Sequence, residues 1–163
     1  MNNDLHDLFL EELADIYSAE QQLTKALPKM ARAAESEELR QAFEEHLEQT
    51  QEQISRIDQV FESLDESMKR KTCKAMQGLI EEGTEVMQEY KGSPAIDAAL
   101  IAAAQKIEHY EIATYGTLCT WAEQMGHPDA LDLLKQTIDE EETTDERLTE
   151  LAESLANPQA EQS

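Results

Sequence analysis

Apolar residues recur every three to four positions over very long stretches of this chain, and stop signals break the pattern at only a few places. The first stretch, about Asp4 to Ala34, carries Leu5, Phe9, Leu13, Ile16, Leu23 and Leu27, with Pro28 expected to bend or loosen its last turns. Ser36 can cap a second helix, with Glu37 and Glu38 at its positive end and Leu39, Phe43, Leu47, Ile54, Ile57 and Phe61 along it to about Leu64. Gly92, Ser93 and Pro94 supply a stop, a cap and a first-turn residue for a third long helix through Ile101, Ile112 and Leu118 to Gly126. His127-Pro128 then opens a fourth, bearing Leu131, Leu134, Ile138, Leu148, Leu151 and Leu155.

The connections set the topology. Very short links join the first helix to the second and the third to the fourth, so each pair reads as an antiparallel hairpin. Residues 65–92 between them carry Cys73, Met76, Leu79, Ile80, Val86 and Met87 at helical spacing and can return the chain along the bundle. The expected fold is all-α, a ferritin-like four-helix bundle of two antiparallel hairpins joined by a long crossover containing a short extra helix. A simple up-down bundle with an added fifth helix is the alternative. Residues 1–156 read as one domain, and 157–163 (NPQAEQS) as a frayed polar tail. Five glycines and four prolines in 163 residues are too few for an all-β fold, which needs a turn about every 8–12 residues.

Charge narrows the partners. With 36 acidic and 13 basic side chains, the net charge of −23 repels nucleic-acid phosphates. No apolar run approaches the ~20 residues of a membrane span. The first residues lack the basic start and apolar core of a signal peptide, and Cys73 and Cys119 form no metal or disulfide pattern. The expectation is a cytoplasmic protein that contacts neither nucleic acid nor membrane.

Polar residues interrupt every apolar stripe. Position 20, between Ile16 and Leu23, is glutamate. In the third helix the stripe crosses Glu108, with Glu111 at its edge, and in the fourth it brackets Glu141 and Asp145. In the second helix, Phe43, Ile54 and Ile57 flank His46 and Thr50, with Gln49 and Gln53 at the border. Glu20 precedes its hairpin turn by about 15 residues and Gln49 and Thr50 follow it by a similar distance; Glu111 and Glu141 flank Gly126 in the same way. At about 1.5 Å per residue all lie ~22 Å from the turns, at one level of the bundle. Buried carboxylates in such a group require cations or protons. Two divalent metals would satisfy about four carboxylates, and hard oxygen donors with some imidazole suit iron first, with manganese or zinc as alternatives.

The stretches DIYSAEQQL (15–23), HLEQT (46–50), QISRIDQVF (53–61), CKAMQGLIEE (73–82) and DAALIAAAQKIEHYEIATYGTL (97–118), with the EE..TD..LT..A pattern at 140–152, resemble the bacterial YciE/YciF stress-protein family of the ferritin-like superfamily. The resemblance spans nearly the whole chain and implies a ferritin-like bundle, a homodimer and a two-metal site. Two departures stand out. No Glu-x-x-His occurs anywhere in the chain, and Gln49 replaces the second acid of the family's HLEET motif.

The candidate metal ligands are therefore Glu20, His46, Gln49, Glu108, Glu111, Glu141 and Asp145, with Gln53 behind them and Tyr17 and Tyr115 facing inward nearby. Two functions fit. One is a di-metal carboxylate oxidoreductase that handles peroxide or dioxygen, or oxidises ferrous iron, during stress. The other is a non-catalytic helical dimer, a structural or binding module whose polar layer fixes register.

Overall fold

A computed structural model describes residues 3–162, so residues 1 and 2 of the expected domain and Ser163 of the expected tail lie outside the described residues. Those described form five long or medium helices and a short terminal one, with no strand among them. Helix α1 (Asp4–Ala33) is capped by Asn3, whose side chain accepts from Leu5 N at 2.8 Å. It passes through Pro28 without ending there. Helix α2 (Glu37–Ser63) starts at the expected Ser36 cap. The crossover carries α3 (Lys74–Glu89), followed by α4 (Ile96–Gln124) and α5 (Pro128–Leu151). Gly126 (φ 73°) ends α4, with Gly126 N bonded to Glu123 O and His127 N to Ala122 O, a glycine-closed helix end.

Two boundaries differ from expectation. Helix α4 begins two residues after the expected first-turn proline, because Ser93 Oγ accepts from Ala95 N and Ile96 N bonds Ser93 O, closing a separate turn first. A single π turn at Ala152–Ala156 leads into a short helix, α6 (Asn157–Glu161), within the stretch expected as a polar tail. A π turn holds more residues than an α turn, so it rotates the buried face. Leu155, expected inside, is 39% exposed, and Ala156 takes the inner position at 4%.

Side-chain contacts give the helix directions. Gln105 reaches Thr149, His109 reaches Asp145, and a Cβ at Gly116 would meet Ile138, so α4 and α5 run antiparallel. Arg40 bonds the carbonyls of Ala31 and Ala34 across the turn between α1 and α2. Helix α1 also packs against α4, and α2 against α5, while α3 lies against both α1 and α4. The N-terminus of α3 is fixed by Ser18 Oγ accepting from Cys73 N at 2.9 Å and by Gln22 Nε2 donating to Cys73 O at 3.1 Å. Cys73 and Met76 are fully buried there, as packing residues.

One buried charge organises the turn between α1 and α2. Asp97, 7% exposed at the start of α4, accepts from Glu35 N at 2.8 Å and Ser36 N at 2.9 Å. Its two oxygens satisfy amides that no helix supplies with partners. No helix among the described residues is long and apolar enough to cross a membrane.

Candidate metal centre

Four helices deliver five buried donor side chains to one level. Glu20 comes from α1, His46 from α2, Glu108 and Glu111 from α4, and Glu141 from α5; the four glutamates are 0% exposed and His46 is 3% exposed. One ligand atom from each of His46, Glu108, Glu111 and Glu141 lies within 4.8 Å of the others. His46 Nε2 is 2.9 Å from Glu108 Oε1 and 3.9 Å from Glu141 Oε1. The Glu20 carboxyl lies beside that of Glu111.

His46 stands at ion-pair distance from Glu108 and Glu141, but these contacts are not hydrogen bonds. Both oxygens of all four glutamates, and His46 Nε2, are buried with no hydrogen-bond partner. Native interiors leave few such groups, because each costs about 1–3 kcal/mol, and more when charged. Donors that crowd a point while aiming at none of their neighbours have the geometry of a ligand set. The group has the chemistry and spacing to hold a metal ion.

Without a cation, protons carry the balance. Burial pushes Glu20 up to about 8, against the opposing effect of its Glu111 contact. Burial likewise raises Glu108 and Glu111 well above the ordinary carboxylate range. Burial tends to depress His46, but its contacts with Glu108 and Glu141 together outweigh this and raise it well above the usual imidazole value. Glu141 is the exception. Burial pushes it up too, yet the contacts with Glu108 and His46 overrule this and hold it at about 2. These directions favour the neutral form of Glu20, Glu108 and Glu111 and the charged form of His46 and Glu141.

Asp145 and Gln49 do not join this group. Asp145 accepts from Gln105 and pairs with His109 at 3.1 Å on the outer side of α4 and α5. It follows Glu141 by four residues, about 40° further round the helix, and that rotation carries it past the core. Gln49 follows His46 by three, turning about 60° the other way, and accepts from Thr144 Oγ1 at 3.3 Å. Of the residues weighed alongside, Thr50 is buried and donates to His46 O at 2.7 Å. Gln53 is buried and donates to Glu140, and its Oε1 has no partner. Tyr115 is buried with an unpartnered hydroxyl whose electrostatic neighbours are Glu20, Glu111 and Glu141, whereas Tyr17 is half-buried packing.

The sequence reading missed a polar ladder between α2 and α5. Arg147 pairs with Glu45, Thr144 with Gln49, Glu140 with Gln53, and Arg56 with both Glu140 and Thr137. Each step of three or four residues along α2 is matched by a reverse step along α5.

Comparisons with known proteins agree with this architecture. Residues 4–161 match the family model described as a domain of unknown function, DUF892. The chain is 56% identical to protein YciF of Escherichia coli K12 over 158 residues, covering 96% of this chain and 95% of YciF. The crystal structure of the E. coli stress protein YciF superposes with a TM-score of 0.91 at 55% identity, over 96% of this chain and 99% of that one. YcfI of Rhodopseudomonas palustris gives 0.86 at 46% identity, over 90% and 94% of the two chains. A Xanthomonas campestris protein at 21% identity and a TM-score of 0.75, over 98% of each chain, shares the fold. With a family model matched over nearly its whole length and such a relative, this chain belongs to the DUF892 family, alongside the stress protein YciF.

Proposed function

We propose that this protein is a ferritin-like stress protein that holds two divalent metal ions, iron first and manganese or zinc as alternatives, with Glu20, His46, Glu108, Glu111 and Glu141. The observation that carries the reading is the set of unpartnered buried donors, eight carboxylate oxygens and one imidazole nitrogen drawn from four helices. The helix order and directions support the ferritin-like four-helix bundle as its scaffold. Homodimerisation, implied by the family resemblance, belongs to the same reading.

A bound pair of redox metals would supply electrons to peroxide or dioxygen, or accept them from ferrous iron. The chain's own part is positional. Helix packing excludes water from the five donors and holds them at fixed separation before any ion arrives. Glu108 and His46 occupy one side of the group, Glu20 and Glu111 the other, and Glu141 lies close to both sets. Tyr115 places a hydroxyl proton near Glu20 and Glu111, where it can hydrogen-bond an oxygen species.

The test is metal content per chain after reconstitution with iron, manganese or zinc, compared with Glu20→Ala and Glu108→Ala. About two ions per chain in the parent and fewer in both variants are expected. A parent chain that retains none overturns the reading. Metal bound without turnover of peroxide or ferrous iron above buffer identifies the protein as a metal-stabilised, non-catalytic module.

A further inference from the structure

The donors are sealed from solvent, so an ion must reach them by a route, and the packing of the helices restricts where that route runs. The seam between α1 and α4 is covered by α3, whose cap is fixed by Ser18 and Gln22. Among the described residues, the seam between α2 and α5 has no such roof and is closed by side chains alone. Within it lies a cavity of about 190 Å³, walled by Phe43 and Leu148, with His46 at its floor and Gln49, Thr144 and Arg147 along its rim. His46 is also the one donor of the five that keeps any exposure, 3% against 0% for the glutamates.

We propose that this cleft is the port through which a hydrated divalent cation reaches the buried donors, with the hydrogen bond between Thr144 and Gln49 as its latch. The inference rests on the metal-binding reading above. The latch is weak by construction: at 3.3 Å between two neutral side chains, it is longer than an ordinary hydroxyl bond. Breaking it frees the Gln49 amide oxygen, which can replace water around an incoming ion. At the lip, the half-exposed Glu45 carboxylate is paired with Arg147, and the net charge of −23 raises cation concentration around it. Gln49 thus acts at the approach to the centre, which accounts for an amide standing so near the site without joining it.

Cobalt(II) uptake by the metal-free full chain, followed by visible absorption in stopped flow, tests the port. Thr144→Ala removes the latch, and loss of one such hydrogen bond should speed uptake by about fivefold. Thr144→Trp fills the cleft and should slow it by about tenfold. Both should keep the parent's cobalt stoichiometry at equilibrium. Thr84→Trp, in the groove between α3 and α4, is the control and should leave the rate unchanged. Parental rates in both Thr144 variants at full stoichiometry overturn the port and leave metal binding intact, as does a matching slowdown in Thr84→Trp. Loss of stoichiometry in Thr144→Ala also overturns it, because Thr144 would then belong to the centre itself. A parent chain that binds no cobalt overturns the port together with the metal reading.

Discussion

His46 Nε2 stands 2.9 Å from Glu108 Oε1, and neither atom forms a hydrogen bond with the other. Two groups that attract strongly in a dry interior would normally align. Here the helices hold them in a geometry that can serve a third body, and their polar atoms are left without hydrogen bonds. Stability and binding should therefore respond to the same substitution in opposite directions.

Glu108→Gln removes a carboxyl that burial disfavours in its charged form, while keeping its volume. In the metal-free protein it should be neutral or stabilising by about 1–3 kcal/mol, since a neutral amide of the same size avoids the cost of keeping a carboxyl protonated in the core at neutral pH. Metal-dependent stabilisation should shrink in the same variant. Urea midpoints measured with and without manganese check both signs. A metal-free variant that loses stability would show that Glu108 acts as a structural hydrogen-bonding residue.

Asp97 offers the contrasting case of a buried carboxylate fully used by the fold. Its two oxygens accept the Glu35 and Ser36 amides, so Asp97→Ala leaves both without partners beside the N-terminus of α2. A loss of about 2–4 kcal/mol is expected, two charge-assisted bonds at about 1.5–3 each less what water recovers. Asp97→Asn, which can accept only one amide well, should lose about half of that. Thermal or urea unfolding reads the difference, with metal content per chain unchanged.

Asp97 and Asp145 show what the sequence could and could not reveal. Helix period and distance from the turns sufficed for Glu20, Glu108, Glu111, Glu141 and His46, because regular helices preserve face and height over tens of residues. The same period misplaced Asp145, whose offset of four residues from Glu141 turns it outward by an amount smaller than the tolerance of a helical wheel. Leu155 failed for another reason: a π turn shifts phase, and nothing in the LAESLA run at 151–156 announces one. Asp97 lay in the first turn of α4, where acidic residues are ordinary, and its partners were 61 and 62 residues away in sequence. The ladder between α2 and α5 was likewise a relation between surfaces, visible only once both helices were oriented.

Acid should stabilise the metal-free protein over a range where it usually does little. Glu20 titrates near 4.5 when unfolded and about 8 when folded, so its proton is held more tightly by the native state. Its contribution is fully present below pH 4.5 and is lost as pH rises through about 8. Glu108, Glu111 and His46, all raised on folding, act with the same sign. Glu141, held at about 2, acts in the opposite sense, but its change falls below pH 4.5. Unfolding midpoints of the metal-free chain should therefore fall between pH 5 and pH 8, and Glu20→Gln should flatten part of that slope. A midpoint independent of pH across this interval would contradict protonated acids in the centre.

Metal loading must then displace those protons. Glu20, at about 8, keeps its proton at pH 7, and Glu108, Glu111 and His46 are shifted in the same direction, so a ligating carboxylate or imidazole nitrogen must give a proton up. Loading at pH 7 should therefore release at least about one proton per chain, more than surface carboxylates, already ionised, would yield. Calorimetric titration with manganese in buffers of different ionisation enthalpy counts them directly. Glu20→Gln should release about one fewer, and raising the pH to 9 should lower the count further as Glu20 ionises beforehand. Release of no protons at pH 7 would place the bound ion elsewhere on the acidic surface, outside the buried group that His46 and the four glutamates define.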